Sequence, residues 1–343
     1  MIRSSVAALG MLAASAFADP AMAAEEMPDK INFGIIATVT TQALKAEWQP
    51  VLDDMEKALG IEVEGFFATD YAGIIEAMRF GKVQVAWFGN KSAIEAVDRA
   101  GAEVFAQTSG LDSDGNLDFG YYSLLITHAD NTELNALADV IKCDQSLDFG
   151  NGDPNSTSGF LVPSYYVFAA NDIDPKFCYK TVRNANHGVN LMSVVNKQVD
   201  FVTNNTEDLA RFRQQQPELA EKIKIIWTSP MIPKDPITYR ADLPKELKAQ
   251  IKVFFLGYGR MGDNIEQARA NLKAFSGGSW LFFDSSNALL YPIRELGYFK
   301  EKLNVEQDDN LSAEEKKKRL TEIEKKLEIV RVLAKYQGAI TVE

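Results

Sequence analysis

The feature that most constrains this chain is a hydrophobic period that keeps switching between strand and helix. Ile31 to Ala37 is a short apolar run fit for a buried strand, after which Leu44, Trp48, Val51, Leu52, Met55 and Leu59 recur at helical spacing up to Gly60. Ile61 to Phe67 reads as a strand, Tyr71 to Phe80 as a helix with Ile74, Ile75 and Met78 on one face, and Val83 to Phe88 as a strand. Asn90 to Ala100 reads as a helix and Val104 to Gln107 as a further strand. A βαβαβαβ chain buries both kinds of apolar face by laying helices over a parallel sheet.

The same grammar returns after residue 120. Lys82 to Asn90 has a counterpart in Lys197 to Asn205, and each follows an apolar helix, Ile74 to Arg79 or Leu191 to Asn196. Ile31 to Ala37 leads into Thr38, Thr40 and Thr41, much as Leu147 to Gly150 leads into Ser156, Thr157 and Ser158. Two half-similar α/β units of about 100 residues predict two lobes facing one another, and at about 150 residues per domain a chain of 343 residues is long enough for both. From Ala241 onward no third repeat appears, so this part is assigned back to the first lobe. In the tail, Ser312 and Glu315 form a capping box, and Leu320, Ile323, Leu327, Val330 and Leu333 make an apolar helical stripe. Such a stripe packs on its own domain or, alternatively, forms a homodimer surface.

Composition narrows the partners. With 48 acidic against 36 basic residues the formal charge is −12, which repels a polyphosphate backbone, and no Lys/Arg cluster interleaved with aromatics offsets it. Nucleic acid is therefore not an expected partner. Arg3, the apolar stretch Val6 to Phe17 and the small residues of Ala21-Met22-Ala23 predict a signal peptide over 1–23, cleaved after Ala23. Ser15, Asp19 and Pro20 break that stretch, which falls short of the ~20 apolar residues of a membrane span. No cysteine precedes Cys143 to carry a lipid, so a free exported protein, periplasmic in location, is expected. Cys143 and Cys178 are the only cysteines: in an oxidising compartment they form a disulfide worth roughly 4 kcal/mol, or else remain unpaired thiols. Neither of the only histidines, His128 and His187, has a cysteine or acid at ligand spacing, so no metal or cofactor is expected.

The most informative stretch is Gly150-Asn151-Gly152-Asp153-Pro154-Asn155-Ser156-Thr157-Ser158-Gly159-Phe160, between a strand and an apolar helix. Pro163 belongs in a first helical turn, which predicts a helix start near Ser158 or Gly159, with three hydroxyls and unpaired N–H groups at its mouth. That is an anion site; the plainer alternative is an N-cap, which needs one hydroxyl only. Gly257-Tyr258-Gly259-Arg260-Met261-Gly262 fits a dinucleotide fingerprint, and Asp284 follows at a suitable distance. Yet Leu243, Leu247, Ile251, Phe254 and Phe255 before it recur at helical spacing, where the fingerprint requires a strand, so these glycines read as a helix stop. Phosphate-loop, nucleophile-elbow and paired-histidine motifs are absent from the sequence.

The chain resembles the periplasmic substrate-binding proteins of phosphonate ABC transporters, of the type that takes 2-aminoethylphosphonate. The motifs are Asp70 to Ile75, Met78-Arg79-Phe80, Gly150 to Leu161, Lys197 to Asp200, Asn204 to Glu207 and Pro233 to Ile237. The resemblance implies a type II periplasmic binding protein fold, an α/β architecture of two lobes, each a mixed sheet covered by helices, with a C-terminal helix. The lobes would be joined by two crossing segments near Tyr121 and Asp235. Lobe 1 would then span 24–121 plus 236–343 and lobe 2 would span 122–235. It further implies that Ser156, Thr157, Ser158, His187, Tyr71 and Tyr121 hold the phosphonate group, and that Glu207 and Asp235 hold an ammonium. Phe88 stands where the family has tyrosine, which removes a hydroxyl. The implied partners are a small phosphonate and the transporter's membrane permease, with no bond made or broken.

The acids admit an argument of their own. A carboxylate ~4 Å from a bare dianion costs on the order of 1 kcal/mol per charge pair in water and several times more in a closed cleft. If Glu207 and Asp235 face the ligand, the ligand must also carry a cation, as 2-aminoethylphosphonate does. Otherwise Glu207 is a solvated first-turn acid favoured by the helix dipole, and Asp235 a turn acid before Pro236. A dianion beside His187 should raise its pKa and make it a charge-assisted donor. Phosphite or methylphosphonate is the competing ligand, and an exported hydrolase using Ser156 or Thr157 with His187 as base is the rival of another class.

Overall fold

The computed structural model describes residues 27–111, 116–275 and 281–336. Residues 1–23, the expected signal peptide, lie outside the described residues. Two mixed sheets carry the fold. The first is seven-stranded, in the order Leu281–Asp284, Ala102–Leu111, Pro236–Arg240, Val85–Trp87, Lys30–Ile35, Glu62–Phe67, with Leu117–Asp118 paired to Ala102–Leu111. Lys30–Ile35 pairs parallel to both neighbours, Phe33 lying opposite Gly65 and Val85. The expected run of adjacent parallel strands is interrupted, because Pro236–Arg240 is inserted antiparallel between Val85–Trp87 and Ala102–Leu111. The alternating run keeps one direction throughout, and the inserted strand is the chain returning from the second sheet. Pro236 opens it, a position where a missing N–H is tolerated.

Helix Thr41–Leu59 starts where Thr40 Oγ1 accepts from the Ala43 N–H and stops at Gly60, whose φ of 66° suits glycine. Its apolar face buries Trp48, Val51, Leu52 and Met55, with Trp48 centred 5.0 Å from Phe33 and 4.8 Å from Phe275. Helix Lys245–Gly257 lies where a dinucleotide fingerprint would need a strand, and Gly259 and Gly262, at φ 75° and 100°, follow its end. The glycines form a stop, as their spacing behind the helical apolar face predicts.

The second sheet has the order Ile223–Thr228, Ser123–His128, Phe201–Asn205, Asp148–Asn151, Thr181–Asn184. Ser123–His128 is buried along its whole length, so both faces of the sheet are covered. Leu125, Phe149 and Phe201 pack with Phe168 and Tyr179 on one side, and Leu124, Ile126 and Val202 with Leu191, Val194 and Leu209 on the other. Cys143 and Cys178 form a disulfide, which decides between the two alternatives, and Cys178 lies within the first of these clusters.

Between the sheets the chain crosses twice, side by side: Gly120–Tyr121 pairs antiparallel with Ile232–Pro233, Tyr121 opposite Ile232. The tail helices Tyr291–Gln307 and Ala313–Tyr336 pack on each other, Tyr291 against Val330 and Ala334, and Val305 against Ile323 and Leu327. The apolar stripe is thus used within the chain, while Leu333 turns outward. Ile293 and Leu296 reach Leu161 and Val162, so the tail touches the second sheet's side as well as the crossings.

Candidate functional site

Helix starts converge on one cavity between the sheets. Tyr71 opens helix Tyr71–Arg79, Gly89 precedes helix Asn90–Ala100, His187 opens helix His187–Val195, and Asn205 caps helix Thr206–Gln215; each of these residues lines the cavity. Helix N-termini carry partial positive charge and unpaired N–H groups, so this end-on arrangement favours an anion despite the acidic composition. Tyr71, Tyr121, Ser156, Thr157, Ser158, His187, Glu207 and Asp235 all line it. Residues far apart in sequence are brought together because both α/β repeats send the ends of their strands to this cleft.

The Ser/Thr helix starts at Thr157, with Ser156 as cap, one to two residues before the start inferred from Pro163. Pro163 is accommodated because the turns on either side of it, Thr157–Leu161 and Ser164–Phe168, are wider i→i+5 turns. In such turns Pro163 deprives the Ser158 carbonyl of its helical partner, and Ser123 Oγ at 2.6 Å replaces it, while the Gly159 carbonyl accepts from the Gly152 N–H at 3.0 Å and from Thr203 Oγ1 at 2.7 Å. The three hydroxyls do different work. Ser156 Oγ accepts from the Gly159 N–H (2.9 Å), Thr157 Oγ1 from the Lys91 N–H (2.8 Å) and Ser158 Oγ from Asn205 Nδ2 (3.2 Å). With an acceptor lone pair committed in each case, the O–H proton of each can still be donated. Ser156 fills the plain N-cap role, while Thr157 and Ser158 bond to other elements.

Both tyrosines are buried, and burial, followed by the charge of Asp235, pushes their hydroxyls far above the usual range. They are neutral donors, in reach of Ser156 and Ser158 respectively. His187 Nε2 lies 3.2 Å from Asn205 Nδ2 and 3.5 Å from Ser156 Oγ. Burial depresses its pKa, with Arg211 adding to the effect, so the imidazole without ligand is neutral; a dianion would act in the opposite sense. Its Nδ1 has no hydrogen-bond partner among the described residues, so the third group that orients a catalytic base is not supplied. Phe88 is wholly buried in the first core and does not line the cavity.

The acids are not solvated turn residues. Asp235 is buried and accepts from the Tyr121 hydroxyl at 3.2 Å; burial and then the Glu207 charge raise its carboxyl well above the ordinary range. Glu207 Oε1 is 2.6 Å from Lys234 Nζ, both side chains being about nine-tenths buried. Lys234 falls inside a family motif, yet sequence reasoning gave it no role. Also missed were Asn205, Asp208 and Arg211, although the i,i+3 acid–base spacing of Asp208 and Arg211 is a readable signal. Glu47, from helix Thr41–Leu59, reaches across to Arg211 at 3.0 Å. No cluster of metal-ligating side chains occurs among the described residues.

Residues 33–281 match the family described as ABC transporter, phosphonate, periplasmic substrate-binding protein. The chain belongs to this family. It is 46% identical over 328 residues to the phosphonates-binding periplasmic protein of Escherichia coli K12, covering 95% of this chain and 93% of that one. A binding protein component of a phosphonate ABC transporter from Pseudomonas aeruginosa superposes with a TM-score of 0.83 at 45% identity, over 91% of this chain and 100% of that one. A Prochlorococcus marinus protein in complex with methylphosphonate shares the fold, with a TM-score of 0.67 at 20% identity, over 80% of this chain and 98% of the other. The family assignment makes the protein the periplasmic phosphonate-binding component of an ABC transporter, with a membrane permease as partner, and its relatives in the family are transport proteins rather than enzymes.

Proposed function

We propose that the protein, exported by residues 1–23, captures 2-aminoethylphosphonate or a similar aminoalkylphosphonate between its lobes and hands it to the permease. The observation that carries this reading is that Glu207 and Asp235 line the same cavity as the Ser156–Ser158 helix start. A dianion accepts donors from Ser156, Thr157, Ser158, His187, Tyr71 and Tyr121, while an ammonium at the other end offsets the carboxylates. Closure over the ligand is a population shift driven by contacts that only the closed form makes. In this reading lobe 1 comprises 24–121 with 236–343, lobe 2 comprises 122–235, and the paired crossings at Tyr121 and Ile232 serve as the hinge.

One observation favours a second reading, an alkylphosphonate without an amine such as methylphosphonate, or phosphite. Lys234 already neutralises Glu207, and an Asp235 that keeps its proton can donate rather than repel. Isothermal titration against aminoethylphosphonate, methylphosphonate, phosphite and phosphate separates the two. The first reading expects aminoethylphosphonate to bind tightest, and parity with methylphosphonate would overturn it. Release of phosphate during incubation with aminoethylphosphonate would instead support the hydrolase.

A further inference from the structure

Lys234 is as buried as the acids beside it, and it lies at the second crossing rather than in the cavity wall. Its backbone N–H donates to the Phe119 carbonyl at 2.8 Å, fixing it next to the first crossing. From there its ammonium reaches Glu207 Oε1 at 2.6 Å. Glu207 lines the cavity and Lys234 does not, so the pair presents its acidic half to the ligand and keeps its basic half behind. The adjoining Asp235 also lines the cavity and accepts a hydrogen bond from an uncharged phenol, that of Tyr121.

We propose that Lys234 is a specificity-determining residue: held behind Glu207, it sets the net charge of the cavity's amine end, leaving Asp235 as the carboxylate that a ligand ammonium must satisfy. The inference rests on the aminoalkylphosphonate reading. In its absence Glu207 would confront a phosphonate with a full charge, and ligands lacking an amine would be repelled. With it, the site carries about one uncompensated carboxylate instead of two, so the preference for the amine is moderate and the range of accepted phosphonates is wide.

The test is the ratio of affinities for aminoethylphosphonate and methylphosphonate, because general damage to the fold weakens both alike. Lys234→Met should tighten the first and weaken the second, raising the ratio at least about tenfold, since one charge a few ångströms away in a closed cleft is worth that much or more. Glu207→Gln should lower the ratio by a similar factor, leaving an unopposed ammonium behind the site. The double variant, which removes both charges, should return to within about threefold of the wild type. Should Lys234→Met fail to fold, as a buried unpaired acid can cause, the Glu207→Gln and double variants still decide the matter. A ratio unchanged in Lys234→Met, or a double variant as skewed as Glu207→Gln, would overturn the role of Lys234. A wild type that binds methylphosphonate but not aminoethylphosphonate would sink the ligand reading instead; Lys234→Met weakening methylphosphonate would still uphold the charge-setting role, and its failure to do so would end that too.

Discussion

Burial, and then the charge of Glu207, push the Asp235 carboxyl well above its usual pKa, against the opposing pull of Tyr121 and Lys234. An arriving ammonium favours the ionised form, so aminoethylphosphonate should release a proton on binding and bind more tightly as pH rises toward the raised Asp235 pKa. His187 acts in the other sense, since a dianion favours the imidazolium and takes up a proton, but it does so for every phosphonate. Tyr71 and Tyr121 stay neutral throughout. Comparing the wild type with Asp235→Asn on the same ligand therefore isolates Asp235. Titration calorimetry in two buffers of different ionisation enthalpy should show more proton release with aminoethylphosphonate for the wild type than for Asp235→Asn. The same variant should cost aminoethylphosphonate about 2 to 5 kcal/mol, roughly 30-fold to several thousand-fold, while methylphosphonate holds or improves. Equal weakening of both would make Asp235 structural. The sequence announced this residue through its motif, but the buried ion pair beside it depends on a distance between residues 207 and 234 that no spacing rule encodes.

At the level of elements, the loop from Gly150 to Gly159 works because two backbones touch. A Cβ on Gly152 would stand 2.4 Å from the Gly159 carbonyl oxygen, which is backbone and cannot swing aside. Gly152→Ala should therefore destabilise the protein by about 1 to 3 kcal/mol, seen as a lower melting temperature, and weaken every phosphonate by moving the Ser156–Ser158 start. Gly297 makes the contrast: it lies inside helix Tyr291–Gln307 with open space around its Cβ position. Gly297→Ala should stabilise by about 0.5 to 1 kcal/mol. A Gly152→Ala protein as stable as the wild type would show that the loop tolerates displacement. Strands and helices such as Asn90–Ala100 were legible from period alone. The helix start at Thr157 was not, because a rule about Pro163 presumes ordinary α turns, and the chain instead widens its turns and hands the Ser158 carbonyl to Ser123. Likewise, nothing local reveals that Pro236–Arg240 intrudes into the first sheet, since the strand arrives from a distant part of the chain.

Across the whole molecule, the two lobes are joined by contacts that an open form could not keep. The Gly150–Phe160 loop caps helices of the opposite lobe: Asp153 Oδ2 accepts from the Tyr71 N–H at 3.3 Å, and Thr157 Oγ1 from the Lys91 N–H at 2.8 Å. Gly89, the residue before helix Asn90–Ala100, has no side chain with which to cap it, so Thr157 supplies the cap from across the cleft. Farther along the cleft, Glu47 meets Arg211 with both side chains buried. Half-similar repeats made two lobes legible, but such contacts join groups whose spacing depends on closure. Glu47→Gln removes the charge from the bridge between the lobes while Asp208, at 3.1 Å on the same helix, still pairs Arg211. No cation is released into the cavity, so the effect should fall on closure alone. Without ligand the variant should populate the open form and show a larger radius of gyration by small-angle scattering. With ligand it should close, and all phosphonates should weaken by a common factor, about 10- to 100-fold, set by the lost closed fraction. A change in the ratio of aminoethylphosphonate to methylphosphonate would instead mean that Glu47 acts on ligand charge, and an unchanged radius of gyration would mean that the caps alone hold the lobes shut.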